Sequence, residues 1–379
     1  LAGRDEAALF RVFGDKPSLA DIVRMVHPAP KTETRRAFYG WLLGKEHVDA
    51  ALPEVVRCYE AFKADPTGEV PAGVPWEMLT ALPLPKGAWQ ELTLRMGWHA
   101  TRMNLNTMAR HGVFEHPACV EAVAARLRDR EQIAKSRVFP YQLLVAYLNV
   151  GETVPHKVRE ALQDAMEAAV ENVPSIVGQV YVLPDVSGSM ASPLTGERKG
   201  ATSKVRCVDV AALVAAALLR RNPDARVVPF ESMPIALKIN PRDSIMTSAT
   251  KLAGVGGGGT NCTAPLKMLN GEGAIGELVV YVSDNCSWAE YGGNGHRSYA
   301  AVQTGTPLAV EWERFKKRNP RAKLVLVDIQ PSTTTQAPDR DDVLNVGGFS
   351  DTVFDVIARF ARGELSPAHW VGEVEAVQL

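Results

Sequence analysis

The sequence predicts two architectures in series: α-helical, HEAT-like repeats over residues 1–174, then an α/β doubly wound domain over 175–379. Three observations predict it. The chain has 379 residues, more than one compact core usually takes, so two domains are expected. Up to about residue 174 the apolar residues recur at helical spacing, with Pro or Gly between the runs. From about 175 onward, short β-branched runs alternate with helical patterns, as in a mostly parallel sheet covered by helices.

In order, Ser18-Leu19-Ala20-Asp21 reads as a capping box opening a helix. Leu19, Ile22, Val23 and Val26 follow as one apolar stripe, and Pro28 and Pro30 end it. Further helices are predicted at 34–44, 53–64, 75–82, 87–110, 117–129, 139–149 and 155–171. Antiparallel pairs with short links point to an α-solenoid, although no fixed-period repeat is visible. Strands are predicted at 177–183, 226–230, 278–283 and 323–329. Helices are predicted between and after them at 204–221, 242–252, 263–270, 307–318 and 351–362. The helix 204–221 is apolar nearly all round, which marks it as buried.

The run Val177 to Leu183 is apolar, as expected of a strand buried on both faces. It leads directly into Asp185-Val-Ser187-Gly-Ser189. Ligands of open α/β sheets bind beyond the carboxyl ends of the strands, and this turn offers one carboxylate and two hydroxyls there. The glycine-rich loop 254–261 supplies another hydroxyl, Thr260. The apolar run Leu278 to Val282 leads to a second carboxylate, Asp284. Asp185, Ser187, Ser189, Thr260 and Asp284 are hard oxygen donors, suited to Mg²⁺ or Mn²⁺. Their order and placement resemble the metal-ion-dependent adhesion site (MIDAS) of von Willebrand factor A domains. The bland alternative is an Asp that caps a helix beside serines that make a turn. The polar loop 191–203, with Glu197, Arg198 and Lys199, lies next to this site in sequence.

Composition bounds the partners. Apolar content of 46% and charge of 22% are those of an ordinary globular chain. A net charge of −1 exerts no global pull on nucleic acid or membrane, so any RNA contact must be a local patch. The five cysteines (58, 119, 207, 262 and 286) are scattered, which predicts free thiols and a cytoplasmic setting. No apolar run reaches membrane-spanning length, and no signal peptide is visible. The chain begins with Leu1, so a segment upstream is expected.

Longer stretches resemble the Ro ribonucleoproteins, the TROVE-module family. They are Ser18-Leu-Ala-Asp-Ile-Val-Arg-Met-Val-His-Pro-Ala-Pro-Lys31, Leu92 to Met103 and Ser136 to Ala146. Most similar are Gly257-Gly-Gly-Thr-Asn-Cys262, Val282-Ser-Asp-Asn285, Asn319 to Val327 and Asp339 to Asp351. The resemblance implies a ring of helical repeats closed by a von Willebrand A domain. It implies binding of small noncoding Y-like RNAs and of misfolded RNA ends, RNA quality control with an exoribonuclease, and a monomer. His27 matches the family's His for Y RNA. Two departures stand out: the family's helical part extends upstream of residue 1, and Gly97-Trp98-His99 replaces Asn-Leu-Gly.

The candidate RNA-binding residues are Arg24, His27, Lys31, Arg35 and Arg36 around one helix end, with Arg102 farther on. Cationic groups there could hold phosphates. They could equally form a solvated face, and His27 could simply cap its helix. Residues 101–137 add a modest basic surplus. Gly254-x-Gly256-x-x-Gly259 mimics a dinucleotide fingerprint but follows a helical pattern rather than a strand. His116-x-x-Cys119 has no partner pair for zinc. With metal ligands but no evident general acid or base, binding is expected rather than catalysis. The alternative is a protein-interaction module that binds an acidic partner through the metal; a metal-dependent hydrolase is the remote third.

Overall fold

The computed structural model describes residues 17–194, 204–284, 307–330, 337, 340–350 and 352–365. The chain forms two compact units. One comprises Leu1–Arg126 with Gly151–Val158, the other Leu127–Val150 with Arg159–Leu379.

In the first unit, helices α1 (Leu19–Val26), α2 (Glu33–Leu42), α3 (Glu54–Ala64), α4 (Trp76–Thr80), α5 (Lys86–Arg95), α6 (Trp98–Met103), α7 (Leu105–Arg110) and α8 (Pro117–Leu127) follow one another with short links. The capping box forms as the sequence dictates. Ser18 Oγ accepts from Asp21 N–H (3.1 Å), and the Ser18 N–H donates to the Asp21 carboxylate (3.2 Å), an arrangement worth about 1 kcal/mol. Leu19 and Val23 pack with Phe38, Val56 and Met78 into one core.

The expected helix 87–110 is in fact three helices. Met96 and Gly97 are extended (ψ 140° and 170°), which ends α5 and starts α6. Asn104 makes the second break: its side chain donates back to Ala100 O (2.9 Å), competing with the backbone ladder. Helical periodicity continued across both breaks, so it could not reveal them.

The second unit opens with α9 (Arg130–Ser136), α10 (Pro140–Asn149) and α11 (His156–Ala169), the last of which belongs here from Arg159 on. Helix α9 was not expected. Asp129 caps it by accepting from Gln132 N–H (3.0 Å), and its seven residues are too few to show a period.

Then come β1 (Val180–Pro184), α12 (Cys207–Arg221), β2 (Arg226–Val227), α13 (Ile245–Ala253), α14 (Thr263–Gly271), β3 (Leu278–Ser283), α15 (Pro307–Arg318), β4 (Lys323–Asp328), β5 (Val343–Gly347) and α16 (Val353–Arg362). The sheet is parallel in the order β2-β1-β3-β4-β5. Val180 and Val182 face α12, α13 and α16; Tyr181 and Leu183 face α14 and α15. This alternation explains why both strand faces read as apolar.

One strand expectation needs correction, and one strand was not expected. The run 226–230 is strand only at Arg226–Val227, because Pro229 has no N–H to give. The pairing nonetheless continues, Val228 N–H donating to Val182 O and Phe230 N–H to Pro184 O. Edge strand β5 is half exposed and lacks a continuous apolar run, so its pattern was silent.

Candidate metal site and nucleic-acid interface

Strand order places β1 between β2 and β3. The chain leaves β1 toward β2 on one side and later crosses to β3 on the other, so a topological switch point lies between β1 and β3. Asp185 follows β1 and Asp284 follows β3, which sets both carboxylates at the carboxyl edge of the sheet, at that point. Both are buried, as are Ser187 and Thr260.

The turn after β1 is held by specific bonds. Asp185 N–H donates to Val282 O (2.9 Å) and Val186 N–H to Phe230 O (2.9 Å), fixing the turn to both neighbouring strands. One Asp185 oxygen accepts the Ser187 N–H (2.9 Å), and the other accepts the Ser283 hydroxyl (2.6 Å). The Ser187 and Ser189 hydroxyls lie 3.2 Å apart. The loop bearing Thr260 docks on this turn: Gly257 N–H donates to Val186 O, and Gly188 N–H to Gly258 O.

Two glycines make this approach possible. A Cβ on Gly256, whose φ is +88°, would stand 2.3 Å from Val186 O; one on Gly188 would stand 2.9 Å from Gly257 O. From the other side, the Glu231 carboxylate accepts the Gly258 N–H (2.6 Å), and Ser232 Oγ donates to Gly259 O (3.1 Å).

Burial pushes the Asp185 carboxyl up to about 6, against its bonds to Ser283 and Ser187, and the Asp284 charge pushes the same way. The neighbouring Cys207 thiol is pushed up to about 12 by burial and by Asp284. Asp185 is thus a buried carboxylate beside another acid, with no basic group among the causes of its shift. The donors here are hard oxygens, the kind that suit a divalent cation. Among the described residues no three of His, Cys, Asp or Glu converge, so any ion here depends on the hydroxyls as well. Asp185, Ser187, Ser189, Thr260 and Asp284 are the residues that could hold it.

Sequence reasoning missed Ser283 and Glu231. Ser283 was detectable as the polar residue ending an apolar strand beside Asp284. Glu231 had no signal, since its role is to hold a loop that is distant in sequence. The expected polar residues Glu197, Arg198 and Lys199 lie outside the described residues, as does Cys286. The other four cysteines form no disulfide among the described residues; Cys58 is exposed and the rest are buried.

In the helical unit, α1 ends at His27, which adopts the left-handed conformation (φ 47°). The His27 N–H donates to Val23 O (3.0 Å), so the backbone closes the helix and the ring is exposed. Lys31 and Arg36 are exposed on the following segment, while Arg35 is half-buried with its guanidinium 6.0 Å from the centre of the Tyr39 ring. Arg24 is exposed but sits 3.2 Å from Asp21, which offsets its charge. Beside these cations Met25 and Val26 are exposed at 76% and 62%. Arg102 stands on a different helix, α6, and is half-buried.

Part of the basic surplus in 101–137 is structural. Arg126 donates to Thr93 O (2.8 Å), Leu94 O (2.7 Å) and Thr101 Oγ1 (2.9 Å), tying down the end of α5. Arg128 pairs with Asp164 and Arg130 with Glu171.

These features can be set against known proteins. The family model described as the TROVE domain matches residues 30–173, and that described as the Ro60 vWA domain matches 179–361. The chain is similar to the protein named RNA-binding protein RO60 of Deinococcus radiodurans, 28% identical over 374 residues, covering 92% of this chain and 66% of that protein. It is similar to the RNA-binding protein RO60 of Caenorhabditis elegans, 23% identical over 388 residues, covering 96% of this chain and 57% of that protein. It therefore spans somewhat under two thirds of these relatives' lengths. The crystal structure of the Deinococcus radiodurans RO (RSR) protein superposes with a TM-score of 0.70 at 25% identity, over 95% of this chain and 74% of that one. With a TROVE domain and a Ro60 von Willebrand A domain in that order along one chain, this protein belongs to the Ro family.

Proposed function

We propose that this chain binds small structured RNA through its helical unit and holds a divalent cation, Mg²⁺ or Mn²⁺, at the carboxyl edge of its sheet, without a catalytic step of its own. The observation that carries the RNA assignment is the exposed segment after α1, where His27 closes the helix, Lys31 follows and Arg36 stands early on α2, all exposed, in a chain whose relatives are named RNA-binding proteins. Lys and Arg on such a surface bind phosphates by releasing condensed counterions. Exposed Met25 and Val26 give unpaired bases an apolar surface beside those charges.

At the sheet edge, Asp185, Ser187, Ser189, Thr260 and Asp284 would hold the cation. When bound, the cation supplies positive charge between two carboxylates and a contact for an anionic oxygen. Ser283 and the Ser187 N–H orient the Asp185 carboxylate; Gly188 and Gly256 let the Thr260 loop close on it. The family resemblance supports the finer assignments: Y-like RNA and misfolded RNA ends as ligands, RNA quality control with an exoribonuclease as the setting, and a monomer; the sparse, scattered cysteines support the cytoplasm as the place.

The test is binding of a stem-loop RNA by the purified chain, followed by gel shift at low and moderate salt. A shift that weakens with salt is expected, and nuclease-sensitive material absorbing at 260 nm should co-purify. A protein-like absorbance ratio and no shift at low salt, together with cation-dependent capture of an acidic peptide, would instead make the chain a protein-interaction module.

A further inference from the structure

Helices α14 and α15 pack together on one face of the sheet, away from the metal-site carboxylates. Their last turns lead into β3 and β4, so they lie at the amino end of the strands, whereas Asp185 and Asp284 lie at the carboxyl end. Between those last turns is an open cleft of about 480 Å³ lined by Lys267, Asn270, Glu311, Arg314, Lys317 and Arg318.

The cleft wall is organised by one buried acid and one amide. Asn270 Nδ2 donates to Glu311 O (2.8 Å) and to the Glu311 carboxylate (2.6 Å), and Glu311 is only 6% exposed. The Asn270 Oδ1 accepts from Arg318 (2.6 Å), and the other Glu311 oxygen accepts from Arg314 (2.8 Å). Both guanidinium groups are thereby fixed at one end and keep further donors. Lys267 and Lys317 are exposed. Four cations face one carboxylate, a surplus of three. The two helix carboxyl ends contribute about half a negative charge each, so the surplus stays positive.

We propose that this cleft takes phosphodiester groups of an RNA strand, a second RNA contact outside the helical unit; the proposal rests on the RNA-binding assignment above. Its lining favours RNA over an acidic peptide. Peptide sites draw their affinity from apolar or aromatic anchors in pockets, and no such side chain lines this cleft among the described residues. Phosphate contacts need only fixed donors and charge.

The test uses Lys267→Ala combined with Lys317→Ala in the full chain, which leaves the Asn270–Glu311–arginine network in place. Unchanged thermal melting confirms the fold. Affinity for a single-stranded oligouridylate is measured across salt. Loss of two single-strand contacts should flatten the log–log salt slope by about 1.4 and weaken binding about 25-fold near 0.1 M salt. An unchanged slope and affinity, with the unsubstituted chain binding RNA, would overturn this inference alone. A polyglutamate peptide that displaces the oligonucleotide from the unsubstituted chain better than added RNA does would make the cleft a peptide site. Inorganic phosphate competing as well as the oligonucleotide, phosphate for phosphate, would reduce it to a free-anion pocket. If the unsubstituted chain bound no RNA at all, the functional assignment would fall as well.

Discussion

Replacing Asp185 by alanine is expected to abolish divalent-cation binding in calorimetric titration with Mg²⁺ or Mn²⁺, while circular dichroism stays native. Asp185 is the residue on which the site converges: it joins β1 to the neighbouring strands, and its two oxygens are already aimed by Ser283 and the Ser187 N–H. Equal cation affinity in the variant would refute the assignment of the site. The same carboxyl gives a pH signature. Its folded value, about 6, lies above the ordinary value of 3.8 for an aspartate. The folded state therefore holds the proton more tightly. The stability this lends is present below pH 4 and is lost as pH rises through 6. That difference corresponds to roughly 3 kcal/mol. In chelator, Asp185→Asn, whose amide oxygen can accept the Ser187 N–H while its Nδ2–H donates to the Ser283 hydroxyl, should be more stable relative to the unsubstituted chain at pH 8 than at pH 4. Carboxylates held low by hydrogen bonds, such as Asp129 beneath the Gln132 N–H, act in the opposite sense; the difference between the two proteins isolates Asp185. Urea unfolding at the two pH values measures it, and a difference that does not change with pH would contradict the account.

Combining Lys31→Ala with Arg36→Ala is expected to weaken binding of a stem-loop RNA by about 60-fold near 0.1 M salt and to flatten the log–log salt slope by about 1.8, if each contacts one duplex phosphate. These two are chosen over Arg24, part of whose charge Asp21 already offsets. Asp185→Ala should change RNA affinity no more than a few-fold, because the sheet edge presents carboxylates toward any phosphate. His27→Asn separates the two roles weighed for that residue. Asparagine tolerates the left-handed backbone, and the helix is closed by the backbone N–H, which the variant keeps. A loss of RNA affinity would then report on the ring rather than on the cap.

Much of the fold was legible because the sheet is buried on both faces. Val180 to Leu183 and Leu278 to Val282 read as apolar runs for that reason. The helices around them carried ordinary caps and stripes. Edge strand β5 and the short α9 were not legible, one because it is half exposed and the other because seven residues carry no period. The three-way division of residues 86–110 was hidden because its breaks depend on local backbone geometry at Met96 and Asn104, not on hydrophobic pattern. At the site, strand-end carboxylates and hydroxyls could be read from order along the chain. Glu231 could not, since it acts by holding a loop 27 residues away in sequence; Ser283 ends an apolar strand beside Asp284, but its partner Asp185, 98 residues away, is visible only in the fold. Charge patches were the least legible feature: only the structure shows that Arg126 is spent on carbonyls and that Lys267 and Lys317 share a cleft.

Ultraviolet cross-linking of the chain to bound stem-loop RNA, followed by digestion and mass spectrometry of the modified peptides, tests the central claim most directly. The account predicts modified peptides that include residues 24–36, lost in the Lys31→Ala, Arg36→Ala protein and retained in Asp185→Ala. Cross-links confined to 185–190 and 254–261, and abolished by Asp185→Ala, would instead run the RNA across the metal site and contradict it.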